Sequence, residues 1–151
     1  MEPLGRDSPE AERIDVALRD WRQGDLALDE KRFVYVGDSS LPLSPVAAQA
    51  GAGLIQALTS EVDGLAVVTQ TCDVVRSCVD RPYVEVAPLV KVEAAELRNV
   101  QRGRRPSLAA LPQLMPAALA VDLDRVMTVE KAIVAAWTRT PGWIEDSDGR
   151  A

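Results

Sequence analysis

There is no histidine anywhere in the 151 residues, and there are only two cysteines, Cys72 and Cys78. The missing imidazole removes the general base that most serine and cysteine hydrolases use. It also weakens any zinc site, because two sulfurs alone leave at least two ligand positions to carboxylates. A chain of this length with no export signal does not need a staple, so the two sulfurs read as free thiols. Aromatic residues make up 4% of the chain: Trp21, Phe33, Tyr35, Tyr83, Trp137 and Trp143. The core must therefore come from Val, Leu, Ile and Ala, and no stacking platform for single-stranded nucleic acid is visible. Basic charge is the minority: 17 Lys and Arg against 23 Asp and Glu leave a net charge of −6. That balance argues against broad affinity for nucleic acid or an anionic membrane. No apolar run approaches the roughly 20 residues of a membrane span. The first ten residues lack a basic stretch followed by an apolar one, so they do not form a secretory signal. A cytoplasmic location is expected.

What is present fits one domain. Residues 1–10, with Pro3, Gly5 and Pro9 among charges, are expected to be disordered, and 145–151 to form a flexible acidic tail. Between them, 11–144 reads as a single α+β domain. Ile14, Leu18 and Trp21 recur at helical spacing over 10–21. Strands are expected at 26–28, 33–36, 65–69 and 83–87, the last continuing through 89–92. Residues 41–46, with two prolines, predict an extended edge. Residues 47–58, rich in alanine but broken by Gly51 and Gly53, predict irregular chain or a weak helix resuming at Leu54. A middle helix is expected over 93–102, with Gly103 at its C-cap and arginines at its negative end. A proline-rich loop follows over 106–119, anchored by Leu108, Leu111 and Leu114. Residues 120–123 and 125–128 predict two short strands or one strand with a bulge. A last helix is expected from Thr128 as its cap through Thr138. This order of elements implies a compact, largely antiparallel sheet.

The segment Gly64-Leu65-Ala66-Val67-Val68-Thr69-Gln70-Thr71-Cys72-Asp73 carries most of the chemistry. A buried apolar run ends in four polar side chains, as strands that deliver residues to a site often do. Cys72 is a candidate nucleophile if it opens a helical turn, where backbone amides favour the thiolate. Asp73 beside it opposes that effect. In the structural alternative, Cys72 is a small buried hydrophobe, Asp73 caps a turn or pairs with an arginine, and Gln70 and Thr71 satisfy backbone groups. A third possibility is a polar recognition cluster facing a cleft. Asp122 and Asp124 share a face of an extended segment and are weak candidates for a hard-metal site. Arg98, Arg102, Arg104 and Arg105 form the one basic cluster, suited to phosphates, to an acidic partner, or simply to a helix C-terminus.

Several blocks resemble an uncharacterised bacterial family of hypothetical proteins. They are Gln23-Gly24-Asp25-Leu26, residues 66–75 with their Thr-Gln-Thr-Cys-Asp core, and Arg81-Pro82-Tyr83-Val84-Glu85-Val86-Ala87-Pro88-Leu89-Val90. Gly103-Arg104-Arg105-Pro106, Leu111-Pro112, Ala120-Val121-Asp122-Leu123-Asp124 and Thr128-Val129-Glu130-Lys131 are similar to its later blocks. That family is expected to continue past the last helix with a basic, Phe-rich block, so this chain is expected to be a short form. Gly24-Asp25-Leu26, residues 66–70 and Val86-Ala87-Pro88 also resemble, in order and spacing, the PemK/MazF-type toxins. Those toxins carry an arginine before the second strand and a threonine after the Ala-Pro, where this chain has Asp63-Gly64 and Leu89. The second resemblance implies a small antiparallel β-barrel or strongly bent sheet, SH3-like or PemK-like, with N-terminal, middle and C-terminal helices.

The expected role is a non-catalytic binding or adaptor component of a bacterial multi-gene system, which the resemblance implies is of defence or toxin–antitoxin type. Residues 70–73 and the four arginines would then contact a protein partner, with neither cofactor, membrane nor nucleic acid involved. The oligomeric state is left open. The alternative is an enzyme: a hydrolase centred on Cys72, with Asp73 beside it, or a PemK/MazF-like nuclease.

Overall fold

The computed structural model describes residues 1–51 and 53–143. Ser8 opens α1 (Pro9–Leu18), where its hydroxyl accepts the Ala11 amide at 3.4 Å. Pro9 occupies a position that needs no amide partner, and Glu10 and Glu12 lie at the positive end of the dipole. Thus Pro9 and Glu10 are helical, and Arg6 is paired with Asp80. The expected acidic tail, 145–151, lies outside the described residues.

The main sheet is antiparallel, in the order β1 (Leu26–Ala27), β4 (Leu65–Val67), β5 (Tyr83–Lys91), β7 (Leu119–Asp122), β6 (Leu108–Ala109). The last strand, β8 (Met127–Glu130), also pairs with β5. β5 is the spine. Its Val86 faces Val67 on one edge and Met127 on the other, so β4 and β8 flank it on opposite sides. β7 meets residues 89–91 on the β8 edge, and residues 123–126 bulge out between the two partners. Pro88 sits opposite that bulge. The Leu89 amide donates to Gly64 on the β4 edge, so the position of the missing Pro88 donor falls where no ladder bond is called for. No pairing joins β1 to β6 among the described residues, so the sheet is open in its pairing.

Both faces of this sheet are covered. Leu65, Val67, Val84 and Val86 pack with Leu18, Trp21, Phe33, Val74 and Val134 on one side. Ala66, Ala87 and Leu89 pack with Leu111, Leu114, Leu119 and Val121 on the other. Two buried faces explain why β4 is apolar throughout rather than alternating. Beneath the second face, residues 112–117 form a 3₁₀ segment that carries Leu114 inward.

A two-stranded arm stands apart, made of β2 (Arg32–Asp38) and β3 (Ile55–Glu61) in antiparallel register. Its inward residues, Phe33 and Leu58, are buried, while Val34, Val36 and Ile55 are exposed. Residues 41–46 do not form an extended edge: Ser44 caps α2 (Pro45–Ala50), and the edge strand is β3. Nor does a helix resume at Leu54. Pairing with all seven residues of β2 overrides the weak local preference of an alanine-containing segment.

The middle helix, α4 (Ala94–Gln101), ends at Arg102 with Gly103 at a φ of 67° beyond it. The last helix is shorter than expected. Thr128 lies in β8, and only α5 (Lys131–Val134) is helical, because pairing of Tyr83, Val84, Glu85 and Val86 with 127–130 holds that stretch extended. Among the described residues no helix is long and apolar enough to cross a membrane.

Candidate functional site

β4 ends at Val67, and the chain turns through Val68 and Thr69 into α3 (Thr71–Val74). The turn is held from several directions. The Glu85 amide donates to the Thr69 hydroxyl at 2.7 Å. The Gln23 amide donates to the Thr71 hydroxyl at 3.0 Å, and the Gln23 side-chain NH₂ donates to the Val68 carbonyl at 2.8 Å. The Gly24 amide adds a bond to the Val67 carbonyl at 2.8 Å. Gly24 has a φ of 88°, and a Cβ there would lie 2.5 Å from the Trp143 Nε1, so a side chain is excluded twice over.

Below α3 lies Lys131, 1% exposed. Its ammonium donates to the carbonyls of Asp73 at 2.8 Å and Arg76 at 2.7 Å, closing the C-terminal end of the turn. Burial lowers its pKa, while the charges of Asp15, Cys78 and Asp73 pull it back up. Cys78 is buried beside this group. Burial raises its thiol pKa, and a hydrogen bond and charge from Asp15 add to the rise. Asp25, also 1% exposed, accepts from the Arg22 amide at 2.8 Å and from Arg139 Nε at 2.6 Å. That pair ties residues 22–26 to the end of the described chain, where Thr140 bridges Leu26.

Each candidate has a distinct fate. Thr71 is half-buried and structural. The Asp73 carboxylate lies 3.8 Å from Arg76, a loose pair, while its carbonyl serves Lys131. Gln70 and Cys72 are exposed, with Cys72 Sγ 3.9 Å from Gln70 Oε1. The expectation that Cys72 is a buried hydrophobe is thus met instead by Cys78. Arg98, Arg102 and Arg104 are exposed, and Arg105 pairs with Glu96. Asp122 accepts from Arg125 Nε at 2.8 Å and from the Asp124 amide at 3.1 Å. Among the described residues no three His, Cys, Asp or Glu side chains form a group that could hold a metal ion.

Beside the turn is an apolar cleft of about 210 Å³, lined by residues that include Gln23, Gly24, Val68, Leu111, Leu123 and Trp143. It gathers parts of four separated blocks: 23–26, 66–75, 111–112 and 120–124. None of the four arginines lines it. Lys131, Asp25 and Trp143 were not among the candidate site residues. Lys131 follows Glu130 in what reads as a charged first turn, and only the fold shows it buried. No family model matches the chain, and no curated protein or solved structure shows significant similarity to it.

Proposed function

We propose that the protein is a non-catalytic binding component whose cleft beside residues 68–73 takes an apolar side chain of a partner protein. One observation carries this: the cleft is apolar and about 210 Å³ in volume, below the roughly 300–1,000 Å³ of sites that enclose small molecules or cofactors. A side chain presented by another polypeptide suits that size. The hydrogen bonds around it act as bracing, since Thr69, Thr71, Gln23 and Lys131 all hold backbone groups. Membership of a defence or toxin–antitoxin system rests on the family resemblance alone. The toxin resemblance likewise supports describing the sheet as strongly bent, PemK-like or SH3-like, with β5 shared between β4 on one edge and β7 and β8 on the other.

The test is a titration with polar peptides that each carry one Leu, Ile or Phe, followed by amide chemical shifts. Shifts at Gly24, Val68, Leu123 and the Trp143 indole are expected, and Val68→Glu should abolish them. Shifts confined to other surfaces, or none across the panel, would sink the assignment. The exposure of Cys72 favours a second reading, a thiol-dependent hydrolase. Rapid modification of native Cys72 by a small disulfide reagent, together with an activity lost in Cys72→Ser, would support it over the first.

A further inference from the structure

The β2–β3 arm has an outward face that nothing in the described chain covers. Register and exposure define it together. Arg32, Val34, Val36 and Asp38 on β2 lie opposite Glu61, Thr59, Ala57 and Ile55 on β3. Val34 is 44% exposed, Val36 73% and Ile55 76%. Near the tip Leu41, Leu43 and Leu54 are also exposed. α2 leaves this face open, since its capping Ser44 bonds the hydroxyl of the inward-facing Tyr35. A contiguous apolar area of this kind on a small domain marks an interaction surface.

Charge decides the occupant. Along β2 the face runs from a cation, Arg32, through two valines to an anion, Asp38. That order is complementary to itself reversed. A two-fold axis lying across the strands lays the face on its own copy with β2 antiparallel to β2. Arg32 of each copy then meets Asp38 of the other, and Val34 meets Val36. No like charges oppose one another in this register, because Glu61 falls over Ile55 of the second copy. We propose that the outward face of the β2–β3 arm is a symmetric dimer interface, occupied by a second copy of this chain.

The size of the face sets the strength. At the usual strand rise and spacing it measures roughly 24 by 10 Å. Two such faces cover roughly 480 Å² in plan, below the roughly 1,000 Å² that a stable specific pair clears, which places the contact in the weak, transient class. A weak, readily dissociating dimer follows, populated toward the top of a concentration series.

Sedimentation of the full chain over a concentration series tests this, with circular dichroism confirming that each variant is folded. Wild type should pass from monomer to dimer, and Val36→Glu should remain monomeric. Arg32→Asp and Asp38→Arg should each weaken the dimer by about tenfold or more. The double reversal, which restores Arg–Asp pairs with their ends exchanged, should recover it. A wild type that stays monomeric throughout, or a dimer indifferent to Val36→Glu, would overturn the interface. A folded double variant that fails to recover would overturn the antiparallel register.

Discussion

The turn after β4 and the β2–β3 arm use their residues in opposite ways. At the turn, polar side chains are drawn inside and given backbone partners: Thr69 with Glu85, Thr71 with Gln23, Lys131 with Asp73 and Arg76. On the arm, apolar side chains are left outside, with Leu43 near the tip 101% exposed. A buried polar group without a partner costs a few kcal/mol, so the turn is fixed by what it cannot leave unsatisfied. An exposed valine costs the isolated chain little. The contrast teaches that the threonines of the polar run, conspicuous in the sequence, are architecture, whereas the plain-looking arm leaves its apolar side chains free.

The contrast breaks first at Phe33, which belongs to the arm yet is 1% exposed in the core. Its ring stacks with Tyr35 at 6.3 Å, and the Arg125 guanidinium lies 5.5 Å from its centroid. Phe33→Ala is expected to cost about 3–5 kcal/mol in urea denaturation. A smaller loss would mean that the arm is only loosely rooted. Next comes Lys131→Met, which leaves two carbonyls without their donor and should cost about 2–3 kcal/mol by the same measurement.

The pH dependence of stability sharpens that second effect. Lys131 titrates below its usual 10.5. Between its lowered pKa and 10.5 the unfolded chain keeps a proton that the folded chain has released, so this group makes stability rise with pH there. Cys78 titrates above its usual 9.0. Once pH passes 9.0 the unfolded thiol ionises first, and its contribution falls as pH climbs through the folded pKa. The two slopes oppose each other in wild type. Lys131→Met should leave only the fall and Cys78→Ala only the rise, read from urea midpoints over about pH 8 to 11.

Smaller effects follow. Thr71→Val deprives the Gln23 amide of its acceptor and should cost about 1 kcal/mol in the same denaturation assay. Val36→Thr, on the arm's outward face, should change the stability of the dilute monomer by less than about 0.5 kcal/mol. If Val36→Thr proved as damaging as Thr71→Val, the two regions would not differ as described.

Much of the frame was legible in the residues because local and tertiary preferences agree there. The helical face of Ile14 and Leu18 in α1, the extended run of β5 and the strand interrupted by a bulge at 123–126 all follow from apolar patterning, whereas the Ser8-Pro9 start of α1 lies in a stretch expected to be disordered. β3 was not legible, because Ile55-Gln56-Ala57-Leu58 has no strong β pattern and takes its form from β2. Thr128 looks like a helix cap by type but is held extended by Glu85 across the ladder. At the site, the segment 68–73 announced itself, yet its role depended on Gln23 and Lys131, which stand 48 and 58 residues from the groups they bond.

The sequence by itself determined the α+β class, the apolar β4 and β5, the free thiols and the absence of any histidine chemistry, since composition and short-range pattern suffice for these. Only the tertiary structure decided that Cys72 is exposed while Cys78 is buried, that Lys131 is enclosed, and that the arm shows its valines to solvent. Burial and partnership belong to residues brought together from distant parts of the chain, and no local pattern encodes which of two similar side chains the fold will cover.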